Sequence, residues 1–371
     1  MAGNIAKRPN GKWRARYRDE TGREHSRHFA RKIDAQQWLD RVTAAVVTDS
    51  YVDPRAGRIT FKQFYDDWSA RQVWVPGTVL AMNLATGSAT FAELPLKTIR
   101  RSHVEAWVKA MDAAGLAPGT IKTRFNNVRA VFKAAHRDRL ISTDPTHGVT
   151  LPRVRRGEHA MRIPSPEEVG RLLTAADPWF RPFVALCAFA GLRLGEAAAL
   201  KVEDVNFLGR QLTVARQVQR ATGSQVEIRR PKYGSERTVF IPDGLVSLLS
   251  AHVAAYPPGP HGWLFTAPTG DPPHQNTVGY WWRKTLRDAE LTGIKLRDLR
   301  HYFASGLIAE GCDVVTVQRA LGHSKPTTTL NTYAHLWPTA EDRTRKAAKS
   351  IMSTALGQQV GRGLGREEAA Q

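Results

Sequence analysis

The sequence predicts a multidomain protein: a small β-sheet followed by a helix at the N-terminus, then an all-α domain, then a larger domain that opens on helices. Three observations predict it. Residues 9–29, PNGKWRARYRDETGREHSRHF, alternate between apolar and basic side chains inside turn signals; residues 118–140 repeat apolar side chains at helical spacing; and LPRVRRGEHAMRIP, with its prolines and arginines, interrupts that pattern. A chain of 371 residues has room for two or three such domains, each with its own core.

In the first segment the turn signals are Asn10-Gly11 and Glu20-Thr21-Gly22. Between them Trp13, Ala15 and Tyr17 fall on one face of a strand, and Arg14, Arg16 and Arg18 on the other. Side chains two apart on a strand are roughly 6.6 Å apart, close to the spacing of successive phosphates on a nucleic-acid strand. The arginine row is therefore either a solvated face or a surface that tracks a phosphate backbone. Residues 32–47 read as a helix with Ile33, Trp38, Leu39, Val42 and Val46 inward, which completes a module over residues 1–55.

Residues 60–150 are helical in pattern. From Pro118 to Leu140, Ile121, Phe125, Val128, Phe132 and Ala135 make a buried stripe, and Lys122, Arg124, Arg129 and Lys133 lie away from it, as a solvated face or as contacts to a DNA backbone. Asp144-Pro145 breaks the helix, and residues 151–163 read as a linker. Ser165-Pro166-Glu167-Glu168, an N-cap with proline at the first helical position, begins a third domain over residues 164–345, followed by a tail at 346–371.

Charge points to the partner. With 54 Lys+Arg against 34 Asp+Glu the net charge is +20, which favours a polyanion. The excess is spread as +6 over residues 1–60, +7 over 61–160 and +7 over 161–371, so every segment is expected to face the same long polyanion. A membrane is not the partner this sequence suggests: the longest strongly apolar stretch, Phe183 to Leu192, is about half a membrane span and reads as a core helix. The polar start MAGNIAKRPNGK leaves neither a signal peptide nor a transit peptide to expect, which suggests the cytoplasm. Cys187 and Cys312 lie in apolar helical contexts and read as buried, inert thiols. His25 and His28 are the nearest histidine pair, on a strand surface, and neither metal-ligand spacing nor a phosphate-binding glycine loop is present. An enzyme built on this sequence is expected to act on nucleic acid without metal or ATP.

Four stretches carry the chemistry. AGLRLGEAAAL (190–200) puts Arg193 directly after the apolar helix, where an uncompensated guanidinium is costly. IRRPKYGSERTVFIP, KLRDLRHYFASGLI and LGHSKPTTTLNTYAHLWP follow. Together they resemble the tyrosine recombinase (phage integrase) family, of the kind found in actinobacteriophages, over most of residues 165–340. By that resemblance Arg193 is the first catalytic arginine with Glu196 as its structural carboxylate, Lys232 the catalytic lysine on a hairpin, Arg300 the second arginine, His323 the histidine of the L-G-H box, and Tyr333 the nucleophile. One position departs from the pattern: Arg297 stands where the family usually has a histidine. Arginine does not exchange protons near neutral pH, so Arg297 is read as added positive charge beside the phosphate, a cation there being tolerated in related type IB topoisomerases. His301, one turn on, is the alternative proton carrier, although its family counterpart is usually structural.

The resemblance implies a mixed, mainly-α catalytic domain with a small antiparallel sheet, an arm-type DNA-binding module at 1–55 and a core-binding helical domain at 60–150. The reaction it implies is cleavage of a phosphodiester by Tyr333, with Arg193 and Arg300 holding the equatorial oxygens, Lys232 protonating the 5′ oxygen and His323 hydrogen-bonding the phosphate. The 3′-phosphotyrosyl link conserves the bond energy, so no cofactor is needed. The implied partners are double-stranded DNA at attachment sites, further copies in a homotetramer on DNA, a DNA-bending host factor and an excisionase. Residues after Pro338 are expected to form a helix that docks on a neighbouring protomer or on its own domain. Two other readings stay open: a DNA-binding relative without catalysis, favoured by Arg297, and a type IB topoisomerase-like relaxase, against which the N-terminal module argues.

Overall fold

The computed structural model describes residues 3–18, 22–47, 56–153, 161–220, 226–231, 234–337, 344–345 and 347–356. The chain divides into two compact units, Met1–His159 and Ala160–Gln371.

The first unit opens with β1 (Asn4–Lys7), β2 (Trp13–Arg18) and β3 (Glu24–Phe29), an antiparallel sheet with β2 in the middle. Gly11, at φ +77°, closes the β1–β2 turn, where the Lys12 amide donates to the Asn10 side chain. The second turn signal is described only at Gly22, since residues 19–21 lie outside the described residues. On β2, Ala15 and Tyr17 are buried while Arg16 and Arg18 are exposed, which is the alternation read from the sequence. Helix α1 (Lys32–Val47) covers the sheet with Ala35, Trp38, Leu39 and Val42, an i, i+3, i+4, i+7 stripe. The expected inward Ile33 is instead 59% exposed. Two residues before Ala35, it is rotated by about 200° around the helix and falls on the far side. The Val46 side chain lies outside the described residues.

The helices that follow are α2 (Phe61–Ser69), α3 (Pro76–Gly87), α4 (Arg101–Ala113) and α5 (Pro118–Arg137). Thr60 and Gln63 exchange hydrogen bonds in a capping box at the start of α2. The expected stripe of α5 is buried in full, with Val131 and Ala134 added, and the Phe61, Phe91 and Phe132 rings meet at centroid distances of 4.9 to 5.8 Å. Each such fully buried ring contributes on the order of 2–3 kcal/mol.

The second unit begins at α6 (Pro166–Ala175), capped by Ser165, whose hydroxyl accepts from the Glu168 amide while Glu168 accepts from the Ser165 amide. Then come α7 (Arg181–Phe189), α8 (Leu194–Ala198), β4 (Val205–Asn206), β5 (Gln211–Val214), β6 (Gln217–Arg220), β7 (Val226–Arg229) and β8 (Arg237–Phe240). β4, β5 and β8 form one antiparallel sheet, with Leu212 opposite Val239, and β6 and β7 form a separate hairpin. Helices α9 (Asp243–Ala255), α10 (Gln275–Asp288), α11 (Leu296–Ala309), α12 (Val314–Leu321) and α13 (Pro326–Tyr333) complete the unit. α7 is buried almost all round and packs along α11 at its centre. Its Cys187 is buried and burial pushes the thiol pKa up, in line with an inert residue. Cys312 differs from expectation: it sits half-buried in the turn after α11, because Gly311, at φ +86°, has already ended that helix. Of the expected linker, residues 154–160 lie outside the described residues, as do 338–343, 346 and 357–371 of the C-terminal stretch; residues 347–356 are helical. Among the described residues no helix is long and apolar enough to cross a membrane.

Candidate active site

The site is organised by two sharp turns. After α7 the chain reverses at Gly191, whose φ of +62° suits glycine; a Cβ there would collide with the Phe303 ring. The turn presents the Gly191 carbonyl to one Nη of Arg300 and makes Arg193 the N-cap of α8. The second turn is Gly322, at φ +62°, which ends α12. A Cβ there would lie 2.8 Å from the Arg237 side chain. Helix C-termini leave unpaired carbonyls that carry partial negative charge. Here the Ala320 carbonyl accepts from Arg237 Nε at 2.9 Å, and the Leu321 carbonyl accepts from the other Nη of Arg300.

Glu196 ties the arginines together. Only 1% exposed, it accepts from Arg193 Nη1 at 2.6 Å, from the Arg193 amide at 3.0 Å and from Arg237 Nη2 at 2.9 Å. Burial opposes ionisation of its carboxyl, but Arg237, bound to it, with Arg193 and Arg300, outweighs burial and holds the pKa down at about 2. Three guanidinium groups thus surround one carboxylate. The imbalance shows on Arg300, 7% exposed, whose pKa is lowered to about 9 by burial and by the Arg193 charge. Two positive charges of this cluster have no carboxylate, and an anion is what the cluster lacks.

Tyr333 and His323 stand at the same place. Tyr333, the last residue of α13, is 1% exposed and packs on Ala304, Ile308, Val317 and Leu321. Its phenol meets Nδ1 of His301 at 2.8 Å. Burial raises the phenol pKa, and the opposing pull of Arg300, Arg297 and Arg193 does not overcome it. His323 follows the Gly322 turn and shares a 2.9 Å hydrogen bond between its Nδ1 and the hydroxyl of the fully buried Thr329. Burial and the Arg300, Arg193 and Arg237 charges lower its pKa to about 4, so it is neutral at physiological pH. A cavity of about 760 Å³ opens beside the cluster, lined in part by Arg193, Lys295, Arg297, Arg300 and His301. Arg297 is exposed there and, among the described residues, pairs with no carboxylate.

The structure therefore gathers Arg193, Arg300, His323 and Tyr333 and places Arg297 at the rim. Lys232 lies outside the described residues. The other basic residues singled out by sequence belong to the first unit. Arg14 and Arg16 both reach Glu24 of β3, at 2.9 and 3.7 Å, and Arg18 is exposed. On α5, Lys122 and Lys133 are exposed while Arg124 and Arg129 are half-buried. At 100° per residue Lys122, Arg129 and Lys133 share one face and Arg124 points about 140–180° away from them, so these four do not form one row. Sequence reasoning missed the parts played by Arg237 and Thr329. Arg237 could have been found: it sits two residues before the buried Val239 on β8, and an arginine in register with a core position must have a partner.

Residues 164–339 match the phage integrase family, and residues 1–48 match the N-terminal domain of phage integrases. The chain belongs to the phage integrase (tyrosine recombinase) family. It is 27% identical over 255 residues to a tyrosine recombinase of Pseudothermotoga lettingae, covering 66% of this chain and 80% of the relative. It is 24% identical to the ICEBs1 integrase of Bacillus subtilis, covering 67% and 70%. The integrase of transposon Tn1549, solved in complex with a circular intermediate DNA, shares the fold at a TM-score of 0.68 and 19% identity, covering 79% of this chain and 99% of that one. The fold is that of the tyrosine recombinases, a helix-rich catalytic domain with small antiparallel sheets. Members of the family break and rejoin DNA, and this chain is an enzyme of that class.

Proposed function

We propose that Tyr333 attacks a DNA phosphodiester in this cluster and that the protein thereby integrates or excises a phage or other mobile element. The observation that carries the assignment is the group formed by Arg193 and the buried Arg237 and Arg300 around the single buried carboxylate of Glu196, next to a buried tyrosine. Charge that builds on the equatorial oxygens of a pentacoordinate phosphate meets guanidinium donors already fixed by Gly191, Ala320, Leu321 and Glu196, so little reorganisation is needed at the moment of reaction. Two of the five N–H donors of Arg300 are taken by carbonyls, which leaves others for a phosphate oxygen. His323, fixed through Nδ1 by Thr329, keeps Nε2 for the same phosphate. Arg297 adds a further cation at the rim, and Lys232 protonates the departing 5′ oxygen.

In this reading residues 1–55 bind arm-type sites, residues 60–150 grip the core site and residues 164–345 carry out strand exchange as a homotetramer on DNA. A DNA-bending factor and an excisionase set its direction, and Arg14, Arg16, Arg18, Lys122, Arg124, Arg129 and Lys133 are its backbone contacts. Arg297 favours a second reading, a DNA-binding relative that does not cleave. One experiment separates the two. Wild type and Tyr333→Phe are incubated with nicked fragments spanning the gene's flanks, and covalent adducts are sought on a denaturing gel. A shifted band in wild type and none in the variant supports the proposal; wild type that binds the fragments and never links to them supports the binding-only reading.

A further inference from the structure

We propose that His301, through Nδ1, takes the proton from Tyr333 during strand cleavage. The inference rests on the reading of Tyr333 as the nucleophile and adds the group that activates it.

The geometry selects this histidine. Among the described residues, the phenol oxygen has one side-chain hydrogen-bond partner, His301 Nδ1 at 2.8 Å, and the two rings meet edge to face with centroids 5.6 Å apart. That distance is the reach a general base needs toward the proton it removes. The other histidine of the site is committed elsewhere, with Nδ1 of His323 on Thr329. The residue one turn before His301 is Arg297, a guanidinium that is already protonated and has no site to accept a proton. His301 is thus the group in contact with the phenol that can change its protonation near neutral pH.

Its surroundings keep it in the accepting form. Burial lowers its pKa, Arg297 and Arg300 of the same helix lower it further, and Asp298 opposes them. The elements packed on α11 carry Arg181 and Cys187 on α7, Asp313 and Arg319 beside and on α12, Tyr333 on α13 and His335 in the turn after it. The cavity that His301 lines is also lined by Arg193, Arg283 and Lys295, all cations that disfavour imidazolium there. A neutral imidazole with a bare Nδ1 accepts the hydrogen bond from the phenol. In the step itself the Tyr333 oxygen bonds to phosphorus and its proton passes to Nδ1. The bond from phosphorus to the 5′ oxygen breaks, and that oxygen takes a proton from Lys232. Religation runs the same transfers backward, with His301 returning its proton to the phenol.

Arg297 then acquires a definite part. By disfavouring imidazolium at His301 it extends the pH range in which the base is ready, and by the same charge it favours phenolate at Tyr333. A cation is useful at that position because the proton acceptor sits one turn further along the helix.

The test is single-turnover cleavage of a saturating nicked substrate as a function of pH, for wild type, His301→Gln and Arg297→Gln. Glutamine keeps an oxygen to hold the phenol but cannot take up its proton. The expected result is an acid limb in wild type and a roughly 100-fold or larger loss in His301→Gln at pH 7. The His301→Gln variant should lose that limb and its rate should climb with pH as the phenol ionises. In Arg297→Gln the limb should move to higher pH. DNA affinity and melting temperature of each variant serve as folding controls. His301→Gln that keeps both the rate and the limb overturns the proposal. A uniform loss with an unchanged limb makes His301 a structural support only, and a faster variant means the contact restrains the phenol; both overturn it too. Failure of wild type to form any covalent adduct is a different outcome, which removes the nucleophile reading on which the proposal stands.

Discussion

Two sets of arginines in this molecule share a residue type and little else. Around Glu196, Arg237 and Arg300 are buried and Arg193 is partly exposed; each is fixed by a carboxylate, a backbone carbonyl or both, and burial together with the Arg193 charge lowers the pKa of Arg300. On β2, Arg16 and Arg18 are exposed and Arg14 is half-buried, with Glu24 as a shared partner of Arg14 and Arg16. The burial of Arg237 and Arg300, against the exposure of Arg16 and Arg18, decides the difference. A guanidinium in a low-dielectric pocket stores interaction energy that an incoming phosphate can release, whereas one in water acts through a screened field that reaches about 10 Å at ordinary salt. The first arrangement suits chemistry on one phosphate and the second suits holding many.

The comparison breaks if substitutions in the two sets behave alike. Arg300→Ala should reduce cleavage by 100-fold to 1,000-fold or more while changing DNA affinity only a few-fold, measured by single-turnover cleavage beside equilibrium binding. The triple change of Arg14, Arg16 and Arg18 to alanine should do the reverse. Cleavage of a saturated core site persists, and the slope of log affinity against log salt drops by about 2–3.

Glu196→Gln tests the stored energy itself. Leaving three guanidinium groups without their carboxylate should destabilise the second unit by about 3 kcal/mol, roughly 10 °C in melting temperature, and sulfate should restore part of it. The sign in pH follows from the depressed carboxyl. The stabilisation by Glu196 is fully present above its ordinary pKa of about 4.3, and it is lost as pH falls through about 2. In the glutamine variant that loss at acid pH disappears. His323 adds a separate decline: because its pKa is lowered to about 4 in the fold, the unfolded chain takes up a proton that the fold does not between the ordinary value of about 6.5 and there.

The smallest effect expected is also the finest test of the exposed set. Glu24→Gln frees Arg14 and Arg16 and should raise DNA affinity two-fold to three-fold at low salt, an effect that vanishes at high salt, since exposed pairs are worth only about 0.2–1 kcal/mol.

Where local pattern decides structure, the sequence was readable. The alternation on β2, the stripe of α5 and the Ser165 cap all follow from neighbours a few residues apart. Ile33 shows the limit, since a helix register taken from apolar residues alone placed it inward when the Ala35, Leu39 and Val42 stripe sets the face. Arg193, Arg300, His323 and Tyr333 were legible through motif resemblance, and their convergence is visible only in three dimensions. The bond from Tyr333 to His301, the capping of α12 by Arg237 and Arg300, and the support of His323 by Thr329 join positions far apart in the chain or depend on a turn at a single glycine. No spacing rule encodes such contacts.

If Tyr333 is the nucleophile, the phosphate cleaved in the arginine cluster ends on its phenol oxygen. The most direct test traps the adduct on nicked DNA, digests it with nuclease and trypsin, and locates the residual nucleotide by mass spectrometry. The expected product is a 3′-linked nucleotide on Tyr333, absent from Tyr333→Phe. A nucleotide on any other residue, or adduct formation that survives the Tyr333→Phe change, would contradict it.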